Sequence, residues 1–375
     1  MKVRAAVLEN TEASAPYGVS KPLVVQEVDL EGPGRGEVLV KIEAAGICHS
    51  DLSVINGDRP RPTPMVLGHE AAGVVVETGA GVDDLEAGDH VIFVFVPSCG
   101  HCGPCCEGRP ALCEPGALHN TAGELLSGER PFSKNGQPIN HHVGVSAFAE
   151  YTTVSRRSLV KIDREIPLDI AAVFGCAVLT GAGAVINTAA VKPGQRAAVV
   201  GLGGVGLAAL LAAVASGAEQ IVAVDMQQDK LDFAMKLGAT DAFRADDPEV
   251  VAKVKEATSG GVDVAAEMAG SAKALELAYA IARRGGTAVT AGLPHPSAML
   301  SIPAISLVAE EKTLRGSYIG SSVPSRDLPR LLGLYGRGRL PVDRLVTHHL
   351  KLDEINEGMD RLASGAAIRQ IVGFA

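Results

Sequence analysis

The chain lacks tryptophan, and aromatic residues make up only 3% of its 375 positions. This composition argues against a surface that binds single-stranded nucleic acid by stacking bases on aromatic rings. Positive charge is also scarce, because 34 lysines and arginines face 43 acidic residues, for a formal net charge of -9. A site for a phosphate backbone is therefore not expected, and we predict that nucleic acid is not a partner.

Long hydrophobic runs are absent as well. No stretch reaches the roughly 18 consecutive apolar residues that a membrane-spanning helix requires, and the longest candidate, 207–216, falls far short. The first nine residues end in Glu9 and lack the apolar core of a signal peptide. We therefore expect a cytoplasmic protein without membrane contact.

What the chain does contain indicates two domains. Its 47% apolar content supplies sizeable cores, and 375 residues exceed the usual length of one domain. The first 150 residues alternate short β-rich runs with glycine and proline turns, which predicts an antiparallel, partly barrel-like β domain. These runs include 38–45, 73–78 and 88–94.

From residue 181 onward, strand candidates alternate with helical stretches, which predicts βαβ units and a parallel sheet. The strand candidates are 196–200, 220–224, 262–266 and 286–290, and the helical stretches are 205–216, 229–237 and 272–283. A last strand at 368–374 is expected to pack back on the first domain. We predict a first domain of 1–180 with 322–375, and a second of 181–321.

A glycine-rich loop joins the first of these strands to a helix; its residues include Gly201, Gly203, Gly204, Val205 and Gly206. In this G-x-G-x-x-G pattern the first glycine permits a tight turn, the second admits a pyrophosphate, and the third lets helix and strand pack closely. The helix N-terminus supplies free N–H groups for the phosphates. The pattern predicts a dinucleotide site.

Asp225 ends the next strand candidate, where a carboxylate would accept hydrogen bonds from ribose hydroxyls and repel a 2′-phosphate. The following residues, 226–228, offer no arginine for such a phosphate. The sequence therefore predicts NAD rather than NADP, unless Asp225 is an ordinary turn residue.

Five of the seven cysteines fall between positions 99 and 113, which points to metal binding more than to disulfides. Four thiolates at the observed spacing can surround one tetrahedral ion without an open position, as in structural zinc sites. They are Cys99, Cys102, Cys105 and Cys113. An iron–sulfur cluster is the alternative. Cys106 fits the third position by spacing as well as Cys105, and we assign Cys105.

Cys48, His69 and Cys176 form a second candidate set of two sulfurs and one nitrogen. Three protein ligands leave the fourth position of a zinc ion for water or substrate, where the ion acts as a Lewis acid. Each residue alone would be an ordinary buried cysteine or a hydrogen-bonded histidine. Their joint occurrence upstream of the dinucleotide loop favours a catalytic site.

Together these motifs resemble the zinc-containing medium-chain alcohol dehydrogenases over nearly the whole chain. The matching segments are 46–51, 68–73, 99–113, 175–181, 201–206 and 368–374. The resemblance implies a GroES-like β-rich catalytic domain and a Rossmann doubly wound parallel sheet, hence an α/β protein. It also implies reversible hydride transfer between an alcohol and NAD, with one catalytic and one structural zinc per chain.

The resemblance also implies roles for the catalytic residues. The catalytic zinc ligands would be Cys48, His69 and Cys176. Asp51 would orient the ring of His69, Glu70 would visit the zinc during ligand exchange, and Ser50 would take the alcohol proton. The residue three positions further, a histidine in some members, is Ser53 here. The proton's further route, through His49 or through cofactor hydroxyls and water, stays open.

Four further residues match family positions that contact the cofactor: His49, Thr180, Lys230 and Arg369. Five match substrate-pocket positions: Phe95, His142, Val143, Leu293 and Tyr318. His142 is either a pocket group or a solvated loop residue. The family commonly forms homodimers and sometimes tetramers, so we expect a homodimer.

The long segment between Cys113 and Phe148 is similar to the liver-type and glutathione-dependent formaldehyde dehydrogenase branches. The latter carries an arginine just after the fourth structural cysteine, where this chain has Glu114. Arg59 and Arg61 would replace it only in part. A mostly apolar pocket favours medium-chain or aromatic primary alcohols, with the glutathione adduct of formaldehyde as the alternative substrate.

Two other classes fit parts of the pattern. A zinc-free quinone or enoyl reductase shares the two-domain layout but does not need Cys48, His69 and Cys176 together. A zinc-ribbon interaction module joined to a nucleotide sensor would explain 99–113 alone, but not the open three-ligand set.

Overall fold

A computed structural model describes residues 1–374, and its backbone contacts divide the chain into two compact units. Unit 1 comprises Met1–Cys176, Val323–Pro329 and the chain from Val346 onward, and unit 2 comprises Ala177–Ser322 and Arg330–Leu345. The sequence analysis assigned all of 322–375 to the first domain. The structure assigns 330–345 to unit 2. The apolar 3-10 turn at the end of this segment, Val342–Leu345, packs against the helix Gly204–Ala215 of that unit.

The strands of unit 1 are β1 (Lys2–Leu8), β2 (Leu23–Leu30), β3 (Glu37–Gly46), β4 (Met65–Val66), β5 (Glu70–Thr78), β6 (His90–Phe93), β7 (Phe132–Lys134), β8 (Gln137–His141), β9 (Tyr151–Ser155), β10 (Leu159–Ile162), β17 (Val346–Lys351) and β18 (Arg369–Gly373). A closed barrel has the order β1-β2-β7-β8-β4. A sheet has the order β10-β6-β5-β3-β18-β17, with β9 also paired to β3.

The register of this sheet aligns three segments that are far apart in sequence. Gly46 at the end of β3 lies opposite Glu70 of β5 on one side and Ile371 of β18 on the other. Val40 and Ile42 of β3 are fully buried in the main core of unit 1. β18 therefore completes the central sheet formed by β3 and β5, although it follows them by about 300 residues.

Helices connect these strands. In unit 1 they are α1 (Tyr17–Ser20), α2 (His49–Ile55), α3 (Gly103–Cys106), α4 (Glu114–Ala122), α5 (Leu168–Val173) and α13 (Ile355–Ala363), with 3-10 turns at Pro110–Leu112, Arg156–Ser158 and Leu352–Glu354. α12 (Pro324–Gly336) contains the boundary between the units.

A longer helical run, Leu168–Thr188, begins with α5 and includes π-helical turns at Phe174–Val178 and Ala184–Thr188 around α6 (Leu179–Gly183). Its 21 residues and mean hydropathy of 1.9 satisfy the length and composition of a membrane span, although 83% of its most apolar window is buried inside the protein. Thr180 interrupts its apolar residues, so the helix is not visible in the sequence as one continuous apolar run. Core helices meet the same criteria.

Unit 2 contains a six-stranded sheet of order β13-β12-β11-β14-β15-β16, parallel throughout. Its strands are β11 (Arg196–Val200), β12 (Gln220–Asp225), β13 (Asp241–Arg244), β14 (Val262–Glu267), β15 (Ala282–Thr290) and β16 (Thr313–Gly316). Its helices are α7 (Gly204–Ala215), α8 (Gln228–Leu237), α9 (Val250–Ala257), α10 (Ala272–Ile281) and α11 (Ala304–Ala309), with 3-10 turns at Tyr318–Ser321 and Val342–Leu345. This strand order is that of a doubly wound Rossmann sheet, and it confirms the predicted fold class.

Candidate active site and metal centres

The three side chains of the open ligand set meet in unit 1. Cys48 precedes α2, His69 precedes β5, and Cys176 lies in a π-helical turn. Their sulfur and ring nitrogen atoms lie within 4.8 Å of one another, with Cys176 Sγ 3.5 Å from His69 Nε2. Tetrahedral zinc at about 2.0–2.3 Å from each ligand places the ligand atoms roughly 3.5 Å apart. The donor set therefore fits zinc and leaves one position open.

Burial and proximity shift the proton affinities of this set. The hydrogen bond with Cys176 holds the pKa of Cys48 well below its ordinary value, and the same bond raises the pKa of Cys176 well above it. The pair therefore favours one thiolate beside one thiol. A divalent cation would displace the remaining proton, as thiolate ligation of metals requires.

Asp51 fixes the ring of His69 from behind. Its Oδ1 lies 2.9 Å from His69 Nδ1 and accepts from the Gly68 N–H at 3.3 Å, while Oδ2 accepts from the Cys48 N–H at 3.2 Å. With Nδ1 donating to the carboxylate, the Nε2 lone pair faces Cys176, the orientation that a metal ligand needs. Gly68 has a φ of +91°, and a Cβ there would lie 2.6 Å from the Phe148 nitrogen.

Glu70 and Arg369 form a buried pair beside this set. Arg369 Nη1 lies 3.5 Å from Glu70 Oε2, and both side chains are at most 4% exposed. Within residues 1–374, neither Glu70 oxygen has a hydrogen-bond partner, and burial raises the pKa of Glu70 to about 7. The carboxylate lies over Gly46, where a Cβ would overlap it. The glycine in β3 thus makes room for a charged pair across the sheet.

Two of the predicted pocket residues surround the His69 ring. The ring of Phe95 lies 5.2 Å from it at 83°, and that of His142 lies 5.6 Å from it at 88°. His142 is only 3% exposed, with Nδ1 3.4 Å from Asp51 Oδ1, so the interpretation as a solvated loop residue is wrong. Burial lowers the pKa of His142 well below its ordinary value, which keeps the ring neutral. Val143 follows, half-buried, with a φ of +43°.

The four-cysteine loop also brings its sulfurs within 4.8 Å of one another; they belong to Cys99, Cys102, Cys105 and Cys113. Backbone N–H groups point at them: Cys113 Sγ accepts from Cys99 at 3.1 Å and from Gly116 at 3.3 Å. The exposed Cys106 lies outside the cluster, with its thiol 3.5 Å from the His101 carbonyl. Four converging sulfurs fit a closed tetrahedral zinc site.

The glycine-rich loop in unit 2 has room where a cofactor would need it. Gly201 has a φ of +93°, and a Cβ at Gly206 would overlap the Gly201 carbonyl. At Gly203 a Cβ would meet nothing within 4 Å, so the backbone there is open to approach. Gly204 and Val205 form the first turn of α7 behind it. The loop therefore fits a pyrophosphate at the helix N-terminus.

Asp225 lies at the end of β12, where its Oδ2 accepts from the Leu202 N–H at 2.7 Å and its Oδ1 from the Gln227 N–H at 2.9 Å. Arg244, which no sequence motif indicated, lies opposite Asp225 in the register of β12 and β13. The Arg244 guanidinium donates two hydrogen bonds to the Asp246 carboxylate, at 2.9 and 2.6 Å.

The sequence analysis also missed Glu267, a buried carboxylate at the end of β14. It accepts from the N–H groups of Ala269 and Gly270 and from the Thr290 hydroxyl at 2.6–2.7 Å. An acidic residue at the carboxyl end of a parallel strand is the signal that would have found it, because nucleotides bind at that edge.

The remaining predicted residues are divided between the units. In unit 1, His49 is exposed and Ser50 half-buried, both on α2. In unit 2, Thr180 and Lys230 are half-buried, and Leu293 and Tyr318 are exposed. Lys230 lies on α8.

Comparison with known proteins gives two family matches and similar solved structures. Residues 34–164 match the alcohol dehydrogenase GroES-like domain, and residues 204–336 match the zinc-binding dehydrogenase domain. A Mycobacterium tuberculosis protein named "Putative alcohol dehydrogenase D" is 41% identical over 366 residues, which are 96% of this chain and 99% of that protein.

Among solved structures, benzyl alcohol dehydrogenase from Acinetobacter calcoaceticus superposes with a TM-score of 0.93 at 33% identity, covering 100% of both chains. A protein of the zinc-binding dehydrogenase type from Sinorhizobium meliloti 1021, bound to NADP, superposes with a TM-score of 0.80 at 27% identity, again over 100% of both chains.

The fold and the matches define a two-domain oxidoreductase of the medium-chain dehydrogenase type. Within that class, the chain belongs to the zinc-dependent alcohol dehydrogenase family. The predicted family is thereby confirmed, and the family implies zinc and a nicotinamide cofactor.

Proposed function

We propose that this protein is an NAD-dependent dehydrogenase of medium-chain or aromatic primary alcohols, acting reversibly on the corresponding aldehydes, with one catalytic and one structural zinc ion. The observation that carries the proposal is the convergence of Cys48, His69 and Cys176 within 4.8 Å of one another. Three ligands would leave the fourth position of a tetrahedral zinc ion for substrate. Family membership supports the reaction type.

In this proposal Cys48, His69 and Cys176 would hold the catalytic ion, and a zinc ion bound there would supply Lewis-acid polarisation of the oxygen of an alcohol or aldehyde. Asp51 keeps the proton of His69 on Nδ1, so that the Nε2 lone pair is free to bind the ion. Cys99, Cys102, Cys105 and Cys113 hold the second ion and stabilise their loop.

Ser50 is the group we propose to accept the proton of the alcohol while it passes its own hydroxyl proton on, through His49 or through cofactor hydroxyls and water. It is half-buried in the first turn of α2, beside Asp51. Ser53 donates to the His49 carbonyl at 2.9 Å and is thereby tied to the backbone. We propose that His49 and Arg369 contact the cofactor pyrophosphate, and that Thr180 and Lys230 contact its nicotinamide and ribose.

NAD is the cofactor that the charges around Asp225 favour. Its carboxylate would repel a 2′-phosphate, and Arg244, the cation aligned with it, is already paired with Asp246. The NADP-bound relative makes a direct test necessary. Initial rates with both cofactors should favour NAD, and Asp225→Ala should narrow that preference. Equal rates with NADP in the unaltered enzyme would refute NAD specificity.

The substrate class rests on the mostly apolar character of the proposed pocket positions, namely Phe95, His142, Val143, Leu293 and Tyr318, in which the His142 ring and the Tyr318 hydroxyl are the polar groups. The similarity to a benzyl alcohol dehydrogenase supports an aromatic alcohol. The decisive experiment combines metal analysis with NAD reduction across ethanol, hexanol, benzyl alcohol, and formaldehyde with glutathione. Two zinc ions per chain and highest kcat/KM with hexanol or benzyl alcohol are expected. Preference for the glutathione adduct would favour the alternative substrate.

We further propose a cytoplasmic homodimer. β16 is an edge strand of the unit 2 sheet, and the segment before it carries apolar side chains that are 72–84% exposed, those of Met299, Ile305 and Val308. An open edge with apolar neighbours is suited to pairing with a second copy. Sedimentation would distinguish a dimer from a tetramer or a monomer. The cytoplasm supplies the reduced thiols that both zinc sites need.

A further inference from the structure

The imidazole of His142 is a buried group to which the proposed reaction gives no chemical role. It follows β8, which pairs in parallel with β4 at His141 and Val66. The Ser146 hydroxyl accepts from the His142 N–H at 2.7 Å and donates to the Val66 carbonyl at 2.8 Å. The turn that carries His142 is therefore fixed to the segment that leads into His69.

The other end of this turn is bonded to the same segment. The N–H groups of Ala147 and Phe148 donate to the carbonyls of Gly68 and Leu67, at 3.0 and 2.9 Å. Both imidazoles thus belong to one hydrogen-bonded backbone frame, which sets the distance between them.

Within this frame the two rings face one carboxylate oxygen. Asp51 Oδ1 lies 2.9 Å from His69 Nδ1 and 3.4 Å from His142 Nδ1. The rings are nearly perpendicular, with centroids 5.6 Å apart. Among the described residues, His142 Nδ1 has no hydrogen-bond partner, although the side chain is only 3% exposed. A buried ring nitrogen without a partner costs free energy, so a hydrogen bond with the nearby carboxylate is favoured.

We propose that His142 is a positioning residue for the catalytic zinc ligand His69. It supports the Asp51 carboxylate from a second side and packs edge-on against the His69 ring, which keeps Nε2 directed at the sulfurs of Cys48 and Cys176. The inference rests on the proposed function, because the role requires an ion in that set. Groups behind a metal-ligating histidine commonly orient its ring and raise metal affinity.

Three variants separate the polar contact between His142 and Asp51 from the packing of the ring. His142→Leu removes both, His142→Phe keeps the ring alone, and His142→Gln keeps a donor that can reach Asp51. The exposed His349→Gln is the matched control. The readouts are zinc per chain, the rate of zinc loss to EDTA, and the visible absorption of the cobalt(II)-substituted enzyme, in addition to kcat and KM.

His142→Leu should lose the catalytic zinc about tenfold faster and shift the cobalt bands, as removal of groups behind a ligand commonly does. His142→Gln should keep parent-like zinc retention and cobalt bands, and His142→Phe should fall between them in both. If His142→Leu does not fold, the comparison of His142→Phe with His142→Gln carries the test.

Parent-like zinc retention and cobalt bands in His142→Leu or His142→Phe would overturn the positioning role. Two zinc ions per chain in the parent protein would at the same time support the proposed function. A third ion per chain that disappears with His142 would overturn it too, by making His142 a ligand. A parent protein without zinc at Cys48, His69 and Cys176 would refute both proposals.

Discussion

Arg369 Nη1 and Glu70 Oε2 lie 3.5 Å apart with both side chains buried, so each charge depends on the other for stabilisation. Removing one member of such a pair leaves an uncompensated buried charge, which costs about 3–5 kcal/mol. Glu70→Gln should therefore lower the free energy of unfolding by about 3 kcal/mol at pH 8, measured by urea unfolding of the zinc-loaded protein.

The double variant Glu70→Gln/Arg369→Gln is the control for this pair. Because it removes both charges, its loss of stability should be smaller than the sum of the two single losses. Strict additivity would show that the two side chains do not interact.

Cys105→Ser should lower the zinc content from two ions per chain to one, because it removes one of four converging sulfurs. Cys106→Ser should leave two, since its thiol points to the His101 carbonyl. Metal analysis after gel filtration measures both. A loss of zinc in Cys106→Ser with retention in Cys105→Ser would reverse the assignment of the third ligand.

Ser50→Ala should lower kcat by at least about 100-fold, the usual contribution of a positioned proton-transfer group. Ser53→Ala should change kcat less than about threefold, because its hydroxyl is bonded to the His49 carbonyl. Steady-state rates at saturating alcohol and NAD compare the two. Similar losses in both variants would contradict the proposed order of proton transfer.

His141 gives the stability of unit 1 a dependence on pH. It is fully buried, its Nε2 lies 3.1 Å from the Thr153 carbonyl, and burial lowers its pKa to about 3. The unfolded chain protonates this histidine near pH 6.5, so stability is complete above that pH and falls as the pH drops toward 3. At pH 5 the loss from this group is about 2 kcal/mol.

His141→Gln cannot titrate but retains a donor for the Thr153 carbonyl. The decrease in unfolding free energy between pH 7 and pH 5 should therefore be smaller in His141→Gln than in the parent by about 2 kcal/mol. An identical decrease in both proteins would show that His141 titrates normally in the folded state.

Much of unit 2 could be predicted from the sequence, because its strands are continuous apolar runs and its glycine loop has a strict spacing. The sequence did not predict β13 or α9. Asp241–Arg244, which forms β13, does not alternate apolar and polar residues and is only partly buried. The sequence also did not predict that residues 330–345 belong to unit 2. A short apolar turn does not indicate which neighbouring unit will cover it.

In the candidate site, the metal-ligand residues could be predicted from the sequence, whereas the surroundings of these residues could be seen only in the structure. His141 and His142 lie in a polar stretch after Asn140, and only the tertiary fold buries them. The Glu70–Arg369 contact joins residues separated by most of the chain. It depends on the register of β5, β3 and β18, which local patterns do not specify.

The position of β18 beside β3 has a consequence for biosynthesis. Until the ribosome has completed Arg369–Gly373, the edge of β3 at Ala44–Gly46 is unpaired, and Glu70 has no guanidinium beside it. An open strand edge invites pairing with other chains. Nascent chains that stall before this strand, and proteolytic fragments that lack it, should therefore depend on chaperones, whereas the six strands of the unit 2 sheet all come from earlier in the chain.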